Sequence, residues 1–513
     1  MSLDSKAALP AVPDAASRGR FRLLLLALLV VVAGVLCFLF LARKPFWFDE
    51  CDSVEIARLN WYNFARILWR REANMSLYYL LLRGWLHFGG SEFFIRSLSI
   101  LPALATIPAI YWLGRRLFDR RVGLIAAALL TFNAYHVRYA QEARSYSLFI
   151  FLATLSSGFF VGNLRRPSRR NQVGYILASS LAVYAHFYAV LLVAAQWLAL
   201  RTLKSEPTPP NVTRNWRWIA ALSFPVLLFV GTTGAGPLSW IQRPGLHEIY
   251  DYYLHMAGNG GWVLLLLYGL ACAGALLPVG RALLSRRLDW EPWRLQFLLV
   301  WLIFPVFFTV MVSFARPLFL ARYLIFCLPA LVILAAAGLA RLSKIWLLTP
   351  ALFLVLLLSL QGTFAYYDHD FDLNRDDWRA ASYYVLDHAR PGDVILFHIA
   401  MGRMPFEFYK TVYRKDGLGD AAKESLLTYG PQVIFPTHGD HLDYRDFMGK
   451  PSVEFLRSVP LHYDRVWVVL KNAGTPTNPD PTTTALGQIF SASYAHVQSL
   501  QFPWVEVRLY SRP

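Results

Sequence analysis

Apolar residues in this chain run in long blocks broken by short polar clusters, and many blocks have the length of a bilayer crossing. The first, "FRLLLLALLVVVAGVLCFLFLA" over residues 21–42, follows the basic "SRGRFR". At roughly 1.5 Å per residue it spans a hydrocarbon core of roughly 30 Å. It is too long for the apolar region of a signal peptide, and no A-x-A site precedes Arg43, so it reads as an uncleaved anchor helix. Further runs at 93–114, 122–134, 146–163, 173–186, 188–203, 217–235, 262–280, 295–313, 324–340 and 345–361 bring the expectation to about eleven spans.

The polar intervals alternate in kind. "GRRLFDRR", "NLRRPSRR", "RTLKSEPTPPNVTRNWR", "GRALLSRRLDWEPWR" and "ARLSK" all fall on one side once "SRGRFR" is placed in the cytoplasm. That orientation sends the first outer loop, 43–92, to the extracytoplasmic side, with amphipathic segments expected near 53–70 and 76–88. The chain then divides into a cytoplasmic tail (1–20), a transmembrane part (21–361) and an extracytoplasmic C-terminal part (362–513).

Past residue 361 the pattern shortens. A helical period over 376–389, the turn "RPGD", the apolar run "VILFHI", and runs at "QVIFP", "DRVWVVL" and "WVEVRLYS" with a helix at 452–458 predict a small α/β domain. "AGTPTNPDPTTT" reads as a loop, and without a G-x-G-x-x-G the domain offers no nucleotide site.

Composition agrees. The 513 residues are 56% hydrophobic and only 16% charged, with a mean hydropathy of +0.38, which together describe an α-helical polytopic membrane protein. A net charge of +17 would suit nucleic acid, but the basic residues sit in clusters between apolar runs and report topology instead. Cys37, Cys272 and Cys327 lie inside apolar runs and Cys51 beside an acidic cluster, so no disulfide framework is implied.

The candidate chemistry gathers on the outer face. "KPFWFDECDSVEIARLNW" places Asp49, Glu50, Asp52 and Glu55 just after the first span. Asp52 and Glu55 have the spacing of a helix cap. Asp49 and Glu50 precede that cap, among the interfacial aromatics Phe46, Trp47 and Phe48, and adjacent carboxylates in a partly desolvated place suit one of them as a proton acceptor near neutrality. The bland reading of Asp49 is a helix-entry acid. Arg138, Arg144, Arg316 and Arg322 reach the same face, and guanidinium forks fit phosphate. A carboxylate base opposite phosphate-binding arginines suits transfer of a sugar from a lipid phosphate, a leaving group that needs charge stabilisation more than a general acid. Trp240 could stack on a sugar or anchor at the interface, His186 could act or simply hydrogen-bond within the bundle, and Arg316 beside Pro317 could snorkel to headgroups. His247, Glu248 and Asp251 have a spacing that admits a metal only weakly.

The order "WFDE", "LYYLLLRGWLHFGGSEFFIRSLS", "GRRLFDRRVGLIAAALLTFNAYHVRYAQEARSYSL", "YAHFYAVLLVAAQ", "RPLFLARYLIFCLPA" and "DDWRAASYYVLDHARPGDVILF" resembles bacterial GT-C glycosyltransferases, and more narrowly glycosyltransferase family 39, the protein O-mannosyltransferases and aminoarabinose transferases. The resemblance covers about residues 20–400. It implies an inverting transferase in the bacterial inner membrane that uses a polyprenyl-phosphate sugar on the extracytoplasmic side, with a lipid, polysaccharide or protein acceptor. Asp49 matches the catalytic acid of the first outer loop, with Glu50 its companion. Glu142, in "YAQEARSYSL" with Tyr139 and Gln141, matches a second acidic segment, where binding acceptor, orienting Arg144 and ligating a divalent metal are all open; local pairing with Arg138 or Arg144 is the plainer alternative. Arg322 in "ARYL" falls where the lipid phosphate is expected. The chain departs from the family at "ANMSLYY", where Asn74 stands in place of a His-Pro-Pro imidazole, and any metal assignment weakens there. A transporter or flippase of lipid-linked sugars is the rival reading. It would carry ionisable groups near the midplane and often two similar halves, and the sequence displays neither.

Overall fold

The computed structural model describes residues 15–203, 210–233, 241, 243–277, 280–283, 288–369, 375–413, 430–436, 449–471, 474–475 and 478–513. The chain is mostly helical and crosses the membrane several times, with a small C-terminal sheet domain. Helix α1 (Ala15–Phe38) carries the anchor run. The loop expected on the outer side, 43–92, folds as α2 (Phe48–Arg58), α3 (Trp61–Ile67), a π turn over Leu68–Glu72, a 3₁₀ turn over Ala73–Met75, and α4 (Ser76–Trp85). The amphipathic segment expected over 53–70 is therefore broken, because the Asn60 side chain accepts a bond from Asn63 N at 2.9 Å and starts a new helix.

Helices α5 (Glu92–Leu117), α6 (Arg120–Thr131), α7 (Ala134–Ala140), α8 (Tyr146–Arg165), α9 (Arg169–Ala185) and α10 (Ala189–Leu200) follow, then α11 (Pro210–Thr233), α12 (Leu246–Met256), α13 (Gly261–Leu276), the single turn α14 (Gly280–Leu283), α15 (Trp290–Ser313), α16 (Leu328–Leu339) and α17 (Ile345–Asp368). Each of the expected apolar runs falls on a helix. Among the described residues six helices are long and apolar enough to cross a bilayer unaided, a seventh span arises if the α12–α13 pair, bent by 77°, counts as one, and α10 is a shorter apolar helix. Apolar side chains on α1 and α17 stay outward, with Leu24 68% and Phe353 65% exposed, as lipid-facing positions require. Inside, small residues let backbones meet: a Cβ on Gly338 of α16 would lie 1.7 Å from the Ala271 carbonyl of α13.

The C-terminal domain begins with α18 (Trp378–His388) and strand β1 (Val394–His398), followed by α19 (Arg403–Val412), β2 (Gln432–Phe435), a helix over Val453–His462, and β3 (Arg465–Leu470). A short pair, β4 (Gly474–Thr475) and β5 (Asn478–Pro479), precedes a helix over Pro481–Ser493 and the hairpin β6 (His496–Phe502) and β7 (Val505–Ser511). The five-stranded sheet has the order β2-β1-β3-β7-β6. β1 is parallel to both neighbours, with Val394 opposite Val466 and Gln432, and the two final pairings are antiparallel. Strand β1 is buried throughout, as a central parallel strand should be. The stretch expected as a loop, "AGTPTNPDPTTT", instead ends in a helix: Asp480 accepts from Thr483 N at 3.0 Å as N-cap and Pro481 takes the first turn.

The domain grips the outer loop directly. Tyr409 on α19 accepts from Phe46 N at 2.7 Å and donates to Glu92, and Arg379 on α18 reaches Glu92 and the Ala42 carbonyl, the latter at 3.0 Å.

Candidate active site

Helix α2 begins at Phe48, with Asp49 and Glu50 in its first turn, where acids favour the helix dipole. Asp52 and Glu55 accordingly sit mid-helix and cap nothing, which corrects the expected D-x-x-E cap; Glu55 pairs with Arg58 at 3.2 Å. Burial of Cys51, Val54, Ile56 and Ala57 sets this phase of the helix.

That phase separates the two leading carboxylates. Glu50 points inward and is fully buried, accepting from Arg96 Nε at 2.8 Å, Arg96 Nη2 at 2.7 Å and the Ala143 amide at 2.9 Å. Asp49 keeps 22% of its side chain exposed, and its Oδ2 lies 3.7 Å from Arg322 and 3.9 Å from Arg144. Arg144 is fixed by the Asp49 carbonyl at 3.2 Å, Ser53 Oγ at 3.1 Å and Tyr79 OH at 3.4 Å.

Glu142 lies in the turn between α7 and α8, buried, and neither carboxylate oxygen accepts a hydrogen bond from a described residue. Arg375 Nη2 stands 3.7 Å from it and 3.6 Å from Glu50. Burial raises the Glu142 carboxyl above the ordinary range, and Arg138, then Arg375, pull it back. Trp47 stacks under two of these cations, its ring 5.3 Å from the Arg322 guanidinium and 5.5 Å from that of Arg375. On the loop side of Arg144, burial and then the nearby Glu72 carboxylate push Asp52 well above its usual value, and burial likewise raises Glu72, whose Oε2 accepts from Tyr79 OH at 3.0 Å.

The other expected residues divide. Arg138 donates to Tyr139 OH at 2.7 Å and so joins the Glu142 side of the cluster. Gln141, grouped with Glu142 in the second acidic segment, donates its amide to the Cys37 and Leu39 carbonyls at 3.0 and 2.7 Å and pins the end of α1. Asn74 accepts from Phe187 N at 2.7 Å, a structural tie between the outer loop and the α9–α10 turn. His186 accepts from Tyr188 N at 3.2 Å and stacks on Phe149, behind Tyr323. Arg316 is exposed and, among the described residues, makes no ion pair with the acidic cluster. Trp240 lies outside the described residues.

Arg96, Arg375, Tyr79 and Glu72 were not singled out from sequence. Arg96 carries the one available signal: a lone arginine entering an apolar helix demands a buried counter-charge.

Among the described residues no three His, Cys, Asp or Glu side chains gather to hold a metal ion. The donor set of the cluster does not fit one either, since its carboxylates already face Arg96, Arg144, Arg322 and Arg375. His247 and Asp251 pair with each other at 3.2 Å, and Glu248 accepts from Gly245 N.

ArnT from Cupriavidus metallidurans in the apo state superposes with a TM-score of 0.60 at 13% identity, over 96% of this chain and 98% of that one. The fold is a GT-C fold. ArnT bound to undecaprenyl phosphate matches with a TM-score of 0.59 at 13% identity over 94% and 97% of the two chains. The archaeal oligosaccharyltransferase AglB from Archaeoglobus fulgidus, in complex with an inhibitory peptide and a dolichol-phosphate, matches at 0.50 and 11% identity over 88% and 69%. No protein-family model matches the chain, and no curated protein matches it in sequence. At these identities the likeness is one of fold, and the residues of the site rest on this chain's own geometry.

Proposed function

We propose that the chain is an inverting glycosyltransferase that moves a sugar from a polyprenyl-phosphate donor to an acceptor hydroxyl on the extracytoplasmic face of a bacterial inner membrane, in the manner of family 39. The observation that carries this reading is the facing of one partly exposed carboxylate, Asp49, by two guanidiniums, Arg322 and Arg144. The likeness to ArnT bound to undecaprenyl phosphate and to AglB with a dolichol-phosphate supports a lipid phosphate as the leaving group.

In this scheme Asp49 takes the proton of the acceptor hydroxyl as that oxygen attacks the anomeric carbon. The bond from the anomeric carbon to the phosphate oxygen breaks on the opposite face, its electron pair leaves with the phosphate, and the arginines stabilise the added negative charge. Glu50 cannot share the base role while both its oxygens are held by Arg96 and the Ala143 amide, so we assign it to holding the loop. Glu142, buried and without a hydrogen bond from a described residue, is the group we assign to the acceptor or sugar hydroxyls.

The test incubates membranes carrying wild-type or Asp49→Asn protein with radiolabelled polyprenyl-phosphate sugars and follows the label. Transfer by wild type alone is expected, identifying both sugar and acceptor class. Equal transfer by both removes Asp49 from the chemistry, and relocation of the lipid without a new glycosidic bond makes the chain a flippase. A reporter fused after Ser511 that reads cytoplasmic would invert the orientation.

A further inference from the structure

At the membrane end opposite the acidic cluster, α5 and α8 part around a cavity of ≈ 580 Å³. Arg96, at the catalytic end of α5, and Arg116 are twenty residues apart on that helix, about 30 Å at the α-helical rise. That distance is about the thickness of the hydrocarbon core. The cavity wall is apolar and aromatic, formed by Pro108 and Trp112 of α5 with Phe151, Leu155 and Phe159 of α8, while Arg115, Arg116 and Arg170 stand at one end.

The shape of the groove is built into the packing. Gly158 leaves room for the Trp112 ring, since a Cβ there would fall 2.0 Å from it, so any larger residue would displace the indole that lines the groove. Gly174 does the same for Phe159 at 2.6 Å. Arg116 lies over the Trp112 ring at 4.1 Å and donates to the Gly158 carbonyl at 2.8 Å, which fixes its charge at the rim. Arg115 and Arg170 are exposed, and none of the three arginines makes an ion pair with a described carboxylate. Three cations thus crown an apolar slot at the level of lipid headgroups.

We propose that this groove is a binding site for an anionic phospholipid of the leaflet opposite the catalytic face, its phosphodiester held by Arg115, Arg116 and Arg170 and an acyl chain laid along Phe151 and Phe159. The charge decides the occupant: a zwitterionic lipid would fill the slot equally well but leave the arginines poorly matched. The groove is remote from the catalytic cluster, so the inference stands whether or not the transfer reaction is as proposed.

The experiment titrates delipidated full-length protein in detergent with phosphatidylglycerol, phosphatidylcholine or inorganic phosphate, and counts bound lipid by native mass spectrometry. Wild type is expected to retain phosphatidylglycerol over phosphatidylcholine, and inorganic phosphate is expected not to displace it. Arg115→Gln with Arg170→Gln should weaken phosphatidylglycerol retention about twenty-five-fold, a factor of about five for each basic group at an anionic surface. Arg201→Gln with Arg341→Gln removes the same charge from exposed positions outside the groove and should leave retention unchanged. Equal retention of the two lipids by wild type, or equal losses in both double variants, would overturn the site. Should the first double variant fold poorly, Leu155→Trp, which fills the slot and leaves all three arginines, must lower retention as well, and undiminished binding there sinks the proposal.

Discussion

Arg96 grips Glu50 through two parallel bonds of 2.8 and 2.7 Å, with neither side chain open to solvent. The same guanidinium donates to the carbonyls of Leu41, Lys44 and Pro45 at 2.8, 2.7 and 3.1 Å. One side chain thereby fixes both ends of the segment that presents Asp49.

Arg96→Met should therefore destabilise the protein by about 3–5 kcal/mol, because it leaves a buried carboxylate without its counter-charge. Thermal unfolding in detergent measures this. The double variant Glu50→Gln, Arg96→Met should recover part of the loss, since it removes the uncompensated charge. An unchanged midpoint for Arg96→Met would show that the pair carries no structural weight.

Arg322→Lys keeps the charge near Asp49 but loses the planar fork and weakens the stacking over Trp47. If the arginine meets the phosphate as its charge grows, turnover should fall about 10²-fold with a smaller change in the donor KM. Initial rates across donor concentrations separate the two parameters. A variant that binds donor weakly but turns over normally would make Arg322 a ground-state anchor only.

How the sequence exposed this site, and where it stopped, follows from what each signal encodes. Hydrophobic runs encode depth, so a helical membrane chain could be read before any coordinates, although among the described residues six or seven helices, not eleven, have the length and apolarity of a span. Rotation about a helix axis is set by packing. Glu50 and Asp49 are neighbours in sequence, yet one is fully buried and the other partly exposed, and the Asp52 cap failed because the helix already starts at Phe48 and buries Cys51 and Val54. Long-range partners were also hidden: nothing in "LNRDDW" announces that Arg375 returns to Glu50 and Glu142. The helix at Pro481 is a different case, since Asp480 and Pro481 are a start signal that the surrounding Thr, Asn and Pro residues masked.

Asp52 and Glu72 give the outer loop a pH dependence. Burial and mutual repulsion hold the Asp52 carboxyl well above its ordinary value, against the pull of Arg144. In the unfolded chain it titrates near its usual value of about 4. Between those two values the folded chain binds more protons, so stability is greatest at the low end, declines as pH rises through the raised value and levels off above it. Asp52→Asn should flatten that decline and raise the unfolding midpoint at neutral pH. Midpoints taken across the range from about pH 5 to about pH 8 test it, and a variant that keeps the wild-type slope would assign the decline elsewhere.

Arg375 offers the sharpest test that the C-terminal domain completes the site. Its guanidinium lies between Glu50 and Glu142 and over Trp47, just ahead of α18. Glu50 already has Arg96, so removal of Arg375 falls chiefly on Glu142, which keeps Arg138 as its main charge support. Losing a nearby cation raises a carboxyl further, so Glu142 in Arg375→Gln should stay protonated to a higher pH than in wild type. If the ionised Glu142 holds acceptor or sugar hydroxyls, the acid limb of the pH–rate profile should move upward, and the rate at neutral pH should fall by about tenfold or more. Glu142→Gln should lower the rate, and the acid limb it leaves should no longer respond to Arg375→Gln. A profile in Arg375→Gln that falls in height without moving along the pH axis would mean that Arg375 supports the loop and leaves the ionisation of Glu142 untouched.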